Sequence, residues 1–297
     1  MSKNWEDKFN NWAKPPSDTE ESKCKNAISA IRNAIKNSDI LSSRNIDVFV
    51  QGSYRNNTNV RQDSDVDVGV SCNDVFFYEL PYGYNPDSYR FATSTYSFAI
   101  FKNELEGALK NYFGSKSVTR GNKAFDIKAN SYHVEADVAP FFEYRRYTAP
   151  TVFDKGVAML PDNAPRDRII NWPEQHYRNG VEKNKDTGRR YKSIVRILKA
   201  LANEMIDSRI YGGTISGFVL ECLAWNVPDS YYDGESYLED FINISHFLLS
   251  YSQTDEQCQY WLEVSSLKLL FGPQQKWTRK QVREFVITAC KYIGLNK

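Results

Sequence analysis

Gln51-Gly52-Ser53-Tyr54-Arg55-Asn56-Asn57-Thr58-Asn59-Val60-Arg61-Gln62-Asp63-Ser64-Asp65-Val66-Asp67-Val68-Gly69-Val70 is the stretch that decides the fold. An apolar run, Ile46 to Val50, leads into a Gly-Ser turn. Twelve residues after Ser53 come Asp65 and Asp67, one residue apart inside a β-branched run. Side chains alternate faces along a strand, so Asp65 and Asp67 point one way while Val66, Val68 and Val70 point the other. The valines suit a core. The carboxylates on the opposite face repel each other, and a hard divalent cation such as Mg²⁺, with Mn²⁺ as a substitute, relieves the repulsion. If the Gly52-Ser53 turn opens a helix, its N–H groups and hydroxyl suit a phosphate.

A second alternating run, Tyr132-His133-Val134-Glu135-Ala136-Asp137-Val138, supplies a third carboxylate. Its apolar face is Tyr132, Val134, Ala136 and Val138. Laid beside the first strand, it brings Asp137 to Asp65 and Asp67, a set able to hold two metal ions. Two such ions clamp the attacking and leaving oxygens of an in-line phosphoryl displacement. Asp126, in Phe125-Asp126-Ile127-Lys128, is the competitor for this place; it lacks the apolar strand end that follows Asp137.

These residues resemble the signature of the DNA polymerase beta-type nucleotidyltransferases. The wording around them, Gln51-Gly52-Ser53-Tyr54, Asp63-Ser64-Asp65-Val66-Asp67-Val68 and Ala136 to Arg146, resembles the bacterial CD-NTases. Those enzymes are relatives of cyclic GMP-AMP synthase and the oligoadenylate synthases. The resemblance runs from about residue 18 to about residue 290. It implies an α+β, bilobal fold, with a mixed-sheet catalytic lobe (1–165, including an N-terminal spine helix) and a helical lobe (166–297). It also implies a metal-dependent synthase that makes a cyclic di- or trinucleotide from nucleoside triphosphates, ATP among them, and releases pyrophosphate. The product is expected to signal in anti-phage defence through a separate effector protein. Spacing alone indicates only metal-dependent nucleotidyl transfer. A linear oligonucleotide synthase, or a transferase acting on a protein or small molecule, is the alternative.

By the same resemblance, Asp65, Asp67 and Asp137 are both the metal ligands and the catalytic carboxylates. Gln51, Gly52 and Ser53 form the phosphate cradle, Lys199 contacts phosphate, Ser216 lies against the donor nucleotide, and Asn171 contacts a base. The competing reading of Asn171 is a hinge with Trp172 in the core. Gly217 departs from the aromatic residue often found beside the serine, leaving Tyr191 or Phe218 to stack on a base.

Composition narrows the class. The chain has 297 residues, 41% hydrophobic and 25% charged, as in ordinary globular proteins. A net charge of +1 gives no general field for long nucleic acid. Five scattered cysteines and three histidines offer no zinc-ligand spacing and no disulfide framework. The zinc-bearing insertion with which cyclic GMP-AMP synthase contacts DNA therefore has no counterpart, and no DNA or RNA activator is expected. No apolar run reaches bilayer length and Met1 to Asp7 is no signal peptide, so a cytoplasmic protein without membrane association is expected.

Periodicity predicts the helices. Trp5, Phe9 and Trp12 mark a short one before Pro15-Pro16. Ser17 or Asp18 caps a second, whose stripe Ala27, Ile28, Ile31, Ala34 and Ile35 suits a spine packing across both lobes. Residues 94–113 form a third. Short strands are expected at 75–78, 117–119, 124–129 and 141–147, and Thr148 to Arg168 reads as a loop with a hairpin around Val157 to Leu160. Arg189 to Asp207 is the clearest helix, buried along Tyr191, Ile194, Val195, Leu198, Leu201, Ala202 and Met205. Arg189, Lys192, Arg196 and Lys199 share the other face, as a solvated charge stripe or as a grip on triphosphate. Thr214 or Ser216 caps the next helix, and 236–250, 257–270 and 278–293 read as outer helices.

Overall fold

The computed structural model describes residues 4–15, 18–60, 65–129, 135–165, 167–273 and 275–295. Met1, Pro16, Ser17, Arg61, Gln62, Asp63, Ser64, Tyr132, His133 and Val134, named above, lie outside them. The chain forms two compact units that are interleaved in sequence. Ser17–Tyr54 and Asp65–Pro173 make one; Met1–Pro16, Arg55–Ser64 and Glu174–Lys297 make the other. The lobes expected as consecutive blocks, 1–165 and 166–297, are therefore interrupted by two early segments that cluster with the helices.

The first unit is built on a seven-stranded sheet. Its strands are β1 (Ile46–Val50), β2 (Val66–Glu79), β3 (Val118–Arg120), β4 (Phe125–Ile127), β5 (Ala136–Ala149), β6 (Val152–Met159) and β7 (Ile169–Asn171). The order is β1-β2-β5-β4-β3, with β6 on the outer part of β5 and β7 on β6. Among the described residues, only β2 and β5 pair in parallel. A parallel pair needs a long crossover, and the 80–135 segment supplies one that contains the helix Phe98–Phe113. Val66, Val68 and Val70 are fully buried, packed in one core with Phe101, Leu105 and Leu109 of that helix and with Ile31, Ala34 and Ile35 of the helix Asp18–Lys36.

The strands are longer than their local patterns predict. Val75 to Tyr78 is no separate strand but the outer half of β2, which continues through a register shift between Cys72 and Phe76. Residues 136–138 and 141–147 likewise belong to one strand, β5. Pro140 is tolerated mid-strand because β4 pairs with 136–138 and β6 with 142–149, so on that side its missing N–H removes no ladder bond. The expected loop 148–168 contains β6, and β7 stands where a hinge was the competing reading.

The second unit contains α1 (Trp5–Trp12), α5 (Pro173–Asp186, from Glu174 onward), α6 (Arg190–Asp207), α7 (Gly217–Asn226), α8 (Tyr237–Ser250), α9 (Asp255–Cys258) and α10 (Arg279–Tyr292). Chain-order labels α2, α3 and α4 belong to Asp18–Lys36, Gly52–Asn56 and Phe98–Phe113. Phe9 is buried in the helical core, and the Glu6 carboxylate accepts from the N–H groups of Tyr237 (3.3 Å) and Leu238 (2.8 Å), capping α8 from another helix. That packing assigns the N-terminal segment to the helical unit.

Two expectations fail here. Segment 257–270 is not helical beyond α9: Ser266 has φ +61, which an α-helix excludes, although Trp261, Val264 and Leu270 are buried. The stripe on α6 is not solvated either: Lys192, Arg196 and Lys199 are 9%, 5% and 8% exposed. Helix α5 had no periodic signal; Pro173 starts it, as proline often does at a first helical position.

Candidate active site

Alternation along β2 places the acidic residues as their spacing requires. Asp65 is exposed just before the strand and Asp67 is half-buried within it, while the valines between and beyond them face the core. At the end of β1 the Gln51 N–H donates to the Asp67 carbonyl at 2.9 Å. The chain then turns into α3, a helix of five residues. Gly52 has φ +65, and a Cβ there would lie 2.1 Å from Asp67 Oδ2. Glycine is thus required twice: for its left-handed backbone and for the close approach of that backbone to the carboxylate. Ser53 follows as the second residue of α3, half-buried.

Strand register brings the third carboxylate in. Asp137 pairs with Asp67 across the parallel β2–β5 ladder and with Asp126 across the antiparallel β5–β4 ladder. Asp67, Asp137 and Asp126 therefore form a row over three strands. Burial raises the Asp137 carboxyl to about 6, reinforced by the charge of Asp126, the charge of Asp67, a hydrogen bond with Asp126 and the charge of Asp65. Asp126, set aside on its flanking sequence, is thus a member of the cluster. Its signal was the apolar-Asp-apolar alternation it shares with Asp67. Among the described residues no three acidic, histidine or cysteine side chains already surround a single point as a metal cage. What the strands offer is a line of hard oxygen donors under mutual repulsion, and that donor set fits a divalent cation.

The remaining residues fall in both units. Asn171 ends β7, half-buried, with its backbone paired to Val157 in the sheet unit. Lys199 and Ser216 are in the helical unit. The Lys199 ammonium donates to Thr58 Oγ1 (3.0 Å) and pairs with Glu221 Oε2 (3.4 Å). Glu221 also accepts from Thr58 (2.9 Å) and contacts His176 Nε2 (3.0 Å). Burial acts to raise the Glu221 carboxyl, but the charge of Lys199 and the bonds from His176 and Thr58 outweigh it and hold it down at about 2. Ser216 is exposed at the N-terminus of α7, where its hydroxyl accepts from the Phe218 N–H at 3.2 Å.

Residues 178–294 match the cGAS/DncV-like nucleotidyltransferase C-terminal helical domain. The chain is 45% identical, over 301 residues and 100% of both chains, to the cyclic dipyrimidine nucleotide synthase CdnE of Legionella pneumophila. It belongs to the CD-NTase family. Among solved structures, the Rhodothermus marinus CdnE c-UMP-AMP synthase with Apcpp and Upnpp has a TM-score of 0.85 at 27% identity, covering 98% of this chain and 97% of that one. The Elizabethkingia meningoseptica CdnE cyclic dinucleotide synthase with GTP and Apcpp has a TM-score of 0.81 at 35% identity, covering 97% and 98%.

As a CD-NTase the protein is a nucleotidyltransferase, of the kind that makes cyclic oligonucleotides from nucleoside triphosphates. CD-NTases typically use divalent metal ions, in keeping with the donors lined up here. Gly217, the point of departure in this CD-NTase, lies against Lys199: a Cβ there would come 3.2 Å from Lys199 Cε. The stacking role offered to Tyr191 is excluded, since Tyr191 is fully buried in the helical core. Phe218 is half-buried, 5.8 Å from the His176 ring and 5.6 Å from that of Trp277. No helix among the described residues is long and apolar enough to cross a membrane.

Proposed function

We propose that this CD-NTase joins pyrimidine nucleoside triphosphates, UTP foremost, into a cyclic dinucleotide that serves as a cytoplasmic second messenger in anti-phage defence and is read by a separate effector. The observation that carries the chemistry is the register of Asp137 with Asp67, beside the backbone of Gly52. The choice of pyrimidine rests on the full-length likeness to the cyclic dipyrimidine synthase, and the choice of UTP on the likeness to the c-UMP-AMP synthase with Upnpp.

In each round a ribose hydroxyl attacks the α-phosphorus of a triphosphate; a P–O bond forms, the α–β bridge breaks, and pyrophosphate leaves. Asp65, Asp67 and Asp137 would hold two Mg²⁺ ions, which when bound neutralise the carboxylate row and make the attacking hydroxyl more acidic. Asp137 orients that hydroxyl and receives its proton. Gly52 lets the chain turn tightly enough to fix the Asp67 carboxylate. Ser53 presents its hydroxyl to the donor phosphates, with Gln51 holding the turn to β2. By the family resemblance, Lys199 contacts phosphate, Ser216 the donor nucleotide and Asn171 a base. Most of the rate then comes from positioning and electrostatics.

Purified protein incubated with labelled ATP, GTP, CTP and UTP, singly and together with Mg²⁺, tests this. A phosphatase-resistant product containing uridine, absent with Asp67→Ala, is expected by mass spectrometry. A phosphatase-sensitive product would make the enzyme a linear synthase, and a product without pyrimidine would overturn the base assignment.

A further inference from the structure

The acidic face of the sheet turns apolar one step beyond the carboxylate row. Alternation puts Gly69 and Ser71 on the face of Asp67, and Ala139 and Phe141 on the face of Asp137. The ladders pair Phe49 with Gly69 and Gly69 with Ala139, so the rung next to Asp67 and Asp137 reads Phe49, Gly69, Ala139. Ser71 pairs with Phe141 in the rung after it. Ser71, Ala139 and Phe141 are buried, although they share a face with the half-buried Asp67.

Gly69 lies in a strand with neighbours on both sides, a place where glycine weakens the sheet. Its backbone is not left-handed, so conformation does not call for glycine there. The Phe49 ring does: a Cβ on Gly69 would lie 2.3, 2.5 and 2.8 Å from three of its carbons. The ring is thus seated on the glycine and reaches toward Phe141, the two ring centroids 6.2 Å apart with 29° between their planes. The same end of β1 leads into Gln51, whose N–H bonds the Asp67 carbonyl, and into Gly52, whose backbone closes on the Asp67 carboxylate.

We propose that Phe49 is a positioning residue for Asp67. Its ring, seated on Gly69 and backed by Phe141, pins the end of β1 to β2 on the acidic face. The approach of Gly52 to the Asp67 carboxylate depends on that alignment, and so does the place Asp67 offers a divalent cation. An apolar ring suits this task, because it adds contact beside the row without adding charge or a competing ligand. The role rests on the reading of Asp67 as a metal ligand and acts through Asp67 alone.

Mn²⁺ alone is the probe, titrated calorimetrically into the full chain, with thermal unfolding of the same proteins without metal. Gly69→Ala, which drives a methyl group into the ring, should weaken Mn²⁺ by about 10- to 100-fold, the range for groups that orient a metal ligand from behind. Phe49→Leu should weaken it less. The two together should bind Mn²⁺ more tightly than Gly69→Ala alone, because the ring that meets the methyl group is gone. Val70→Ala, in the core on the opposite face of β2, should lower the melting temperature and leave Mn²⁺ affinity unchanged. Unchanged affinity in Gly69→Ala, or losses that multiply in the double variant, would overturn the role of Phe49. An equal loss of affinity in Val70→Ala would also overturn it, in favour of a general loosening of the sheet. A wild type that binds no Mn²⁺ would sink the metal reading and this role with it. Binding that is lost in Asp67→Ala yet indifferent to Gly69→Ala would sink the role of Phe49 alone.

Discussion

Gly52→Ala is the smallest change that tests the catalytic geometry. The new methyl group would sit 2.1 Å from Asp67 Oδ2 and 2.9 Å from its Cγ, well inside contact distance. A non-glycine residue held at φ +65 costs about 1–2 kcal/mol from backbone sterics alone. The contact can be relieved only by moving the carboxylate or the turn. Either displaces Asp67 from its place beside Asp137 by a distance of the order of an ångström, and shifts of that size cost about 100-fold in rate. In a sheet unit whose core is otherwise intact, the backbone term corresponds to a melting-temperature loss of roughly 2–8 °C. The assay is pyrophosphate release from UTP with Mg²⁺, paired with calorimetric unfolding. Gly107→Ala is the control: the methyl group there meets nothing within 4 Å, on the helix α4, and should stabilise by about 0.5–1 kcal/mol with turnover unchanged. If Gly52→Ala keeps wild-type turnover, the Gly52–Asp67 approach has no part in catalysis and the assignment of Asp67 is wrong.

Two further predictions concern charge. Because the Asp137 carboxyl is raised to about 6 in the fold, the folded state binds its proton more tightly than the unfolded chain does. The stability this group contributes is therefore present below about pH 4 and lost as the pH rises through about 6. In metal-chelated protein, melting temperature should fall between about pH 4 and 6 relative to Asp137→Asn, and added Mg²⁺ should abolish the difference; identical profiles for both proteins would remove the crowded-carboxylate account. Glu221→Gln removes the anion from a buried pair and should cost about 3–5 kcal/mol in urea unfolding, whereas Glu221→Leu combined with Lys199→Met should cost less than Glu221→Gln alone. Additive losses would show that the two side chains are not a buried pair.

The legible parts of the fold were those that local chemistry controls. The two-residue period of Asp65 to Val70 gave its acidic and apolar faces. The 3–4 spacing of α6 gave its buried leucine and isoleucine stripe, and Ser216 gave the start of α7. Asn171 and Trp172 were harder, because a three-residue strand such as β7 is too short for a period to emerge, and α5 lacks an apolar stripe. Helix α9 misled in the opposite sense: apolar residues recur through 257–270, but they are buried by an irregular chain carrying Ser266 at positive φ.

Asp126 shows where local reading ends. Nothing in its own segment says that β4 lies against β5, so only the ladder places it next to Asp137. Lys192 and Arg196 show the same limit for burial, since a basic stripe reads as solvated until α1 and the 55–60 segment are packed beside it. The amino-acid order by itself determined which side chains share a face, and it is the source of the proposal that three aspartates act beside a Gly-Ser turn. Only the tertiary structure decided which strands are neighbours and which charges lose their water, because pairing and desolvation join residues too far apart along the chain for any local pattern to record.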